Sequence, residues 1–344
     1  MAETIHVLGI TVYSYGLAVA AAALVLFVFM GVLMHRLRLP AGSAQIFGLL
    51  SIVLGILFAR LFFCLFNLSF FLETYENPWL MLRFWDGGLS MAGALTGLVL
   101  AAWFTARLMS IRFALFMDIL SMPLALFIAI CRVGEMATDL GVGKIVGEGF
   151  FTAKLPGLFK VETVGIATEY RMAVFMYEFL AAVILMRLLL ILSRKVQRQP
   201  GDTALIFFAL YGSSQVLFES MRDDGHMLIV FLRVSQLFAA LLPVIVTFIL
   251  TKRYLRIRGN ADRQVAAAWG VLLATIVVCV LLEFSLDGRV TIGQPSMLRD
   301  YLIMTVMCVL LFAVPYSLFL AIRKKTGLEA SVMVGSMEET PTSC

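Results

Sequence analysis

Long apolar runs alternate with short polar segments along the 344 residues of the chain. The runs cover residues 11–34, 44–66, 88–108, 113–131, 174–192, 204–221, 229–250, 266–284 and 301–322. Because about 20 apolar residues in a helix cross a bilayer core of roughly 30 Å, each run is long enough to span a membrane. The pattern predicts an all-α, polytopic membrane protein with about nine transmembrane helices.

Basic residues flank these runs in a way that indicates orientation. They fall in every second connection, at Arg36 and Arg38; Arg107 and Arg112; Arg194, Lys195 and Arg198; Lys252, Arg253, Arg256, Arg258 and Arg263; and Arg323, Lys324 and Lys325. Connections rich in Lys and Arg stay in the cytoplasm, so the N-terminus is predicted to lie outside and the C-terminus inside. Glu3 and the lack of a basic segment before the first run predict a retained helix rather than a cleaved signal peptide.

Two segments do not fit a spanning helix. Residues 132–172 mix Gly, Lys and Glu with short apolar stretches, which predicts a small extracytoplasmic head between helices 4 and 5, lying on the outer leaflet. Residues 329–344 have no clear period and are predicted to form a flexible cytoplasmic tail.

Composition excludes several classes of protein. The chain is 61% hydrophobic and 14% charged, with a mean hydropathy of +0.97, which is unlike a soluble domain. The net charge of +5 does not indicate nucleic-acid binding, because the basic residues flank apolar runs and form no basic stripe. The five Cys residues occur singly, with no CxxC pair, so neither a metal nor a cofactor is expected.

Charged and polar residues within the predicted helices or at their outer ends are candidates for function, because charge is costly inside a membrane. They include Arg60, Asp118, Arg132, Glu135, Tyr177, Glu178, Gln215, Glu219 and Arg222. The last three have the spacing i, i+4, i+7 and share one helix face. The alternative is that such residues only pair between helices and fix their packing.

Six of the charged residues fall near the outer face of the membrane. They are Arg132, Glu135, Arg171, Glu178, Glu219 and Arg222. Guanidinium groups bind phosphate in two-pronged contacts and stay charged in a poor dielectric, so the cluster predicts a site for an anionic lipid headgroup. Gly87, Gly88, Gly93 and Gly97 begin the third helix nearby, and either allow close helix packing or offer backbone N–H groups to an anion.

Several short motifs follow one another in a recognisable order. They are YSYGL (13–17), GILFARLFF (55–63), DGGLSMAGALTG (86–97), Asp118 with Pro123, CRVGEMATDLGVG (131–143), RMAVFMYE (171–178), YGSSQVLFESMR (211–222) and VSQL (234–237). With these motifs the chain resembles the prolipoprotein diacylglyceryl transferase family. The resemblance implies a seven-helix membrane core in residues 1–255, followed by two additional transmembrane helices in residues 256–328.

The resemblance also implies an activity and a location. The family moves diacylglyceryl from phosphatidylglycerol to the lipobox cysteine thiol of a prolipoprotein, in the bacterial cytoplasmic (inner) membrane. The expected partners are phosphatidylglycerol or a related anionic phospholipid, a prolipoprotein signal peptide and membrane lipid, with no nucleic acid. The reaction needs a base for the thiol, and Glu135 or Glu219 is the candidate by position, with the retained Tyr15 as a further catalytic candidate. The phospholipid-binding residues are expected to be Arg132, Arg222, Arg171, Gly134, Gly143 and Gly93. Supporting roles are expected for Arg60, Asp118, Tyr177, Glu178 and Gln215.

The chain departs from the family pattern at chemically important positions. Ala92 stands where the family has His, Glu135 where it has Asn, Leu140 where it has an acidic residue, and Gln215 where it has Arg. These changes leave two functions open, a divergent transferase and a catalytically inactive paralogue that binds phospholipid or lipoprotein precursors. A transporter or channel rests on buried charge alone and is the least favoured reading.

Overall fold

The computed structural model describes residues 4–7, 10–68, 71, 78–83, 87–138, 140–146, 157–164, 167–195, 199–223, 228–229, 232–259, 262–287 and 297–338. Within these residues, nine helices are long and apolar enough to cross a membrane, which confirms the predicted all-α, polytopic architecture. They are α1 (Ser14–Arg36), α2 (Ser43–Phe66), α3 (Met91–Leu108), α4 (Phe113–Glu135), α5 (Val174–Lys195), α6 (Asp202–Met221), α7 (Val234–Arg258), α8 (Arg263–Leu286) and α9 (Met297–Glu338).

Short strands lie between some of the helices. The hairpin of β1 (Thr4–Val7) and β2 (Ile10–Tyr13) precedes α1, and the short pair β6 (Leu228–Ile229) and β7 (Leu232–Arg233) precedes α7. Between α4 and α5, the strands β3 (Val142–Val146), β4 (Phe159–Val164) and β5 (Ala167–Ala173) form an antiparallel sheet with β5 in the centre. The described strands of the predicted head therefore form backbone hydrogen bonds with one another.

The chain divides into two compact units, residues 1–207 with 218–238 and residues 208–217 with 239–344. In the first unit, α1 packs on α4, α2 on α3, and α4 on α5. The α2–α3 contact depends on glycine, because a Cβ added to Gly97 would lie 2.3 Å from the carbonyl oxygen of Leu54. A Cβ on Gly93 would lie equally close to the carbonyl oxygen of Phe58, so both glycines let the two backbones touch.

The second unit contains the packed pair α8 and α9. Ser285 donates a hydrogen bond to the buried carboxylate of Asp300 at 2.9 Å, and the Trp269 indole donates to the Thr251 hydroxyl at 3.1 Å. Such bonds satisfy polar groups that would otherwise face lipid. The predicted division of the chain at residues 255 and 328 stays a prediction.

Candidate functional site

Four buried charged side chains meet in the first unit. Arg132 and Glu135 occupy the last turn of α4, Glu178 lies early in α5, and Arg222 directly follows α6. The helix α4 continues to Glu135, beyond the predicted end at residue 131, and so carries two of the four charges on one helical segment. Each of the four side chains is at most 4% exposed.

Glu178 binds both arginines. Its Oε2 lies 2.7 Å from Nη2 of Arg132. Its Oε1 accepts from Nε of Arg222 at 3.0 Å and lies 2.8 Å from Nη2 of the same guanidinium. A carboxylate held by two guanidinium groups in this way fixes the orientation of both.

Glu135 contacts the same two arginines from another side. Its Oε1 accepts from Nη1 of Arg132 at 2.5 Å, and its Oε2 accepts from Nη2 of Arg222 at 3.2 Å. Arg132, Glu135, Arg222 and Glu178 therefore form a closed ring of alternating charge, called here the charge ring. The charge ring has a formal charge of zero, as a buried set of ions requires in a poor dielectric.

Glycines bring the backbone close to the charge ring. Gly141 has a φ of +72°, and a Cβ there would lie 2.6 Å from Oε2 of Glu135. Gly143 forms an isolated antiparallel bridge with Arg222, and a Cβ there would lie 2.8 Å from the carbonyl oxygen of Met221. A Cβ on Gly134 would lie 2.4 Å from Cβ of Ala18. Gly143 thereby positions the backbone that carries Arg222, and Gly134 lets α4 approach α1.

Glu219 adds a third carboxylate beside the charge ring. The residue is buried, and its charge acts on Arg222. Within the described part of the chain, its Oε2 has no hydrogen-bond partner. The charge ring and Glu219 together carry two positive and three negative formal charges, and Oε2 of Glu219 can accept a hydrogen bond from a ligand.

Tyr15 and Arg171 lie near the charge ring. Tyr15 is half-buried in the first turn of α1 and interacts electrostatically with Glu135, Arg132 and Arg222. Arg171 lies on β5, with Nη1 3.2 Å from the exposed carboxylate of Asp223. Because Asp223 directly follows Arg222, Arg171 lies at the rim of the charge ring.

Arg60, named as a supporting residue, holds a loop segment against α2. Its Nε donates to the carbonyl of Met81 at 2.7 Å, and its Nη1 donates to the carbonyls of Gly87 and Gly88 at 2.6 and 3.1 Å. The guanidinium also lies 5.6 Å from the centroid of the Phe63 ring. These contacts anchor the glycine pair that precedes α3.

Asp118 caps a helix. Its carboxylate accepts from the backbone N–H groups of Gly201 and Ala204 at 2.6 and 2.8 Å, at the N-terminus of α6. A carboxylate at this position satisfies free N–H groups and interacts favourably with the helix dipole. Tyr177 donates to the carbonyl of Leu158 at 2.8 Å and so attaches α5 to the segment before β4.

Of the other predicted site residues, Gly93 lies in the α2–α3 contact, and Gln215 is buried on α6. Two residues near the charge ring were missed in the sequence. Gly141 stands within the motif of residues 131–143, and Arg233, at the end of an apolar stretch, donates to the carbonyl of Arg222 at 2.7 Å.

No group of three or more His, Cys, Asp or Glu side chains in the described ranges could hold a metal ion.

Comparison with known proteins identifies the family. The family model of the prolipoprotein diacylglyceryl transferases matches residues 3–252. The chain belongs to the prolipoprotein diacylglyceryl transferase family. The match covers the whole charge ring and ends before α8 and α9 begin.

Relatives named phosphatidylglycerol–prolipoprotein diacylglyceryl transferase are similar along most of their length. The Bacillus velezensis protein is 28% identical over 221 residues, which cover 63% of this chain and 78% of the relative. The Halalkalibacterium halodurans protein is 27% identical over 258 residues, or 74% and 86% of the two chains. The Pediococcus pentosaceus protein is 26% identical over 235 residues, or 68% and 83%.

Proposed function

We propose that this chain is a phosphatidylglycerol–prolipoprotein diacylglyceryl transferase of a bacterial inner membrane. The relatives bear this name, and the charge ring supplies the arginines that such a reaction needs. The carrying observation is that Arg222, a buried guanidinium of the charge ring, lies close to Glu219, a buried carboxylate with an oxygen that no donor in the described residues occupies.

The proposed reaction displaces a phosphate ester. The lipobox thiolate attacks the glycerol C3 of phosphatidylglycerol, a C–S bond forms, and the C–O bond to phosphate breaks with its electron pair leaving on glycerol phosphate. Negative charge grows on the departing phosphate, which Arg132 and Arg222 stabilise because guanidinium groups remain charged when buried. The thiol proton goes to a base, which the protein must supply.

Glu219 is the better of the two candidate bases. Both oxygens of Glu135 accept from arginine, at 2.5 and 3.2 Å, so a thiol can reach Glu135 only by displacing one of these contacts. Glu219 has an oxygen without a donor in the described part of the structure, so a thiol can approach it. Tyr15, close to the same charges, would help to orient the substrates.

A second candidate function is that of a binding paralogue without transferase activity. The neutrality of the charge ring favours it, because both arginines already contact carboxylates and a phosphate has to compete with them. Ala92, early in α3, provides no imidazole to take the thiol proton. Such a protein would hold phospholipid or a lipoprotein precursor without converting it.

The decisive experiment is a transfer assay on the full-length protein. The purified chain in phosphatidylglycerol nanodiscs receives a fluorescent lipobox peptide, and lipidated product is measured by mass spectrometry. We expect product from the native chain and none from Arg132→Gln, with Arg132→Lys retaining partial activity if positive charge is what matters. Thermal unfolding checks that each variant is folded. If the folded native chain makes no product but retains lipid, the transferase proposal fails and the binding paralogue replaces it.

A further inference from the structure

Glu135 and Glu178 contribute unequally to the charge ring. Glu178 makes three contacts to the arginines, at 2.7, 2.8 and 3.0 Å, and these include the Nε edge of Arg222. Glu135 makes two, at 2.5 and 3.2 Å, each to a terminal nitrogen. Removal of Glu178 would therefore leave Glu135 as the carboxylate of the charge ring that holds both guanidinium groups, by one terminal nitrogen each, whereas removal of Glu135 would leave Arg222 held along its Nε edge.

The position of Glu135 allows it to be displaced more easily. Glu135 is the last residue of α4, and a turn follows it. Glu178 lies inside α5, with its side chain fully buried. The terminal nitrogens that Glu135 occupies are the donors with which two arginines would grip a phosphate group.

We propose that Glu135 is an internal competitor of the lipid phosphate at Arg132 and Arg222, and so sets the affinity of the site for anionic phospholipid. The inference rests on the proposed function only in taking the charge ring as the phosphate site. In the absence of lipid, the carboxylates of Glu135 and Glu178 together neutralise the two arginines. The phosphate of a bound phospholipid takes the place of Glu135, while Glu178 keeps both guanidinium groups oriented.

The competition predicts opposite effects of two matched substitutions. Glu135→Gln removes the competing charge and leaves the amide to fill its space, so the affinity for phosphatidylglycerol should rise about tenfold, or about 1.4 kcal/mol. Glu178→Gln removes the same charge but also the contacts that orient both arginines, so the affinity should stay the same or fall. Glu135→Asp retains the charge and should bind no more tightly than the native chain.

The test is a lipid titration of the delipidated full-length protein in detergent, read by native mass spectrometry. The probes are palmitoyl-oleoyl phosphatidylglycerol and, as a zwitterionic comparison, palmitoyl-oleoyl phosphatidylcholine. A rise that is confined to Glu135→Gln and larger for phosphatidylglycerol supports the proposal. An unchanged affinity in folded Glu135→Gln overturns it, and so does an equal rise in Glu178→Gln, which would mean that net charge alone matters. Glu135→Asn is prepared in parallel, so that a folding failure of one amide variant leaves the other to be measured.

The transfer assay separates this inference from the proposed function. Tighter phosphatidylglycerol binding by Glu135→Gln, without product from any variant, supports the internal competitor and overturns the transferase. Product from the native chain, with no gain in affinity in Glu135→Gln, supports the transferase and overturns the internal competitor.

Discussion

At the scale of single residues, the surroundings of a carboxylate decide what it can do. Glu135 and Glu219 are both buried glutamates near Arg222. Each oxygen of Glu135 accepts from a guanidinium group, whereas Oε2 of Glu219 has no partner in the described part of the chain. A carboxylate whose two oxygens are both occupied by guanidinium groups has no oxygen left for a substrate proton, so the two residues have separate roles.

Glu219→Gln should therefore abolish most transfer without weakening lipid binding. The amide has almost the same shape but cannot accept a proton, and loss of a general base lowers rates by about 10²–10⁴-fold. The rate is measured in the nanodisc assay, with bound phosphatidylglycerol quantified in the same sample. Glu169→Gln on β5 is the matched control, since Glu169 is partly exposed at the rim and should transfer at the native rate. Native-rate transfer by Glu219→Gln would rule out Glu219 as the base.

The members of the site were predictable from the sequence, but their pairing was not. Charged residues within or beside apolar runs are easily recognised in the sequence. The positions of Arg132, Glu135, Glu178 and Arg222 predict that all four lie near the outer face of the membrane. Which carboxylate contacts which arginine depends on helix rotation and on side-chain reach across three elements, and neither is encoded in a local pattern. Gly141 was missed because its importance comes from its approach to a residue on another segment.

At the scale of elements, the contact between α2 and α3 shows how small residues bring helices together. The backbone of α3 approaches α2 at Gly93 and Gly97, where any side chain would meet a carbonyl oxygen. In lipid, helices associate through such close packing, because the surrounding acyl chains are as apolar as the side chains. The contact therefore stabilises the helix pair and positions the segment that Arg60 anchors.

Gly97→Ala should destabilise the protein, and Gly55→Ala should not. A Cβ at Gly97 would lie 2.3 Å from a backbone carbonyl that cannot move alone, which costs about 1–3 kcal/mol. A Cβ at Gly55, in the interior of α2, would meet nothing within 4 Å, and alanine should increase stability there by about 0.5–1 kcal/mol. The free energy of unfolding is compared by titration with a denaturing detergent. Equal stability of the two variants would contradict the role assigned to Gly97.

Long apolar runs gave reliable helices, and the ends and the short strands were harder to predict. The run at 113–131 is a helix to Glu135, because Arg132 and Glu135 find oppositely charged partners and need not leave the protein interior. The strands β3, β4 and β5 show no strong alternation of apolar and polar residues, which is the pattern that predicts a strand. Each is stabilised instead by pairing with another strand of the same segment. Hydropathy detects spans well because a lipid environment demands them, and it carries little information about a small sheet.

At the scale of the whole molecule, orientation is the main open prediction. The distribution of Lys and Arg predicts an N-terminus outside the cytoplasm and a C-terminus inside. A green fluorescent protein fused after Cys344 should therefore fluoresce, and alkaline phosphatase inserted at Gly157 should be active. The reverse pattern would place the sheet of β3, β5 and β4, with the rim residue Arg171, on the cytoplasmic side.

The charge ring also imposes an order on the assembly of the protein in the membrane. A single charge at the centre of an isolated helix costs about 2.5–3.5 kcal/mol to insert. The helix α4 enters with Arg132 and Glu135 already paired three residues apart, so these two residues together bring no net charge into lipid. Glu178 then arrives on α5 and meets Arg132, and Arg222 arrives last, after α6, to meet both carboxylates. Glu178 thus finds a cation already in place, and Arg222 makes the charge ring neutral once α6 has been synthesised.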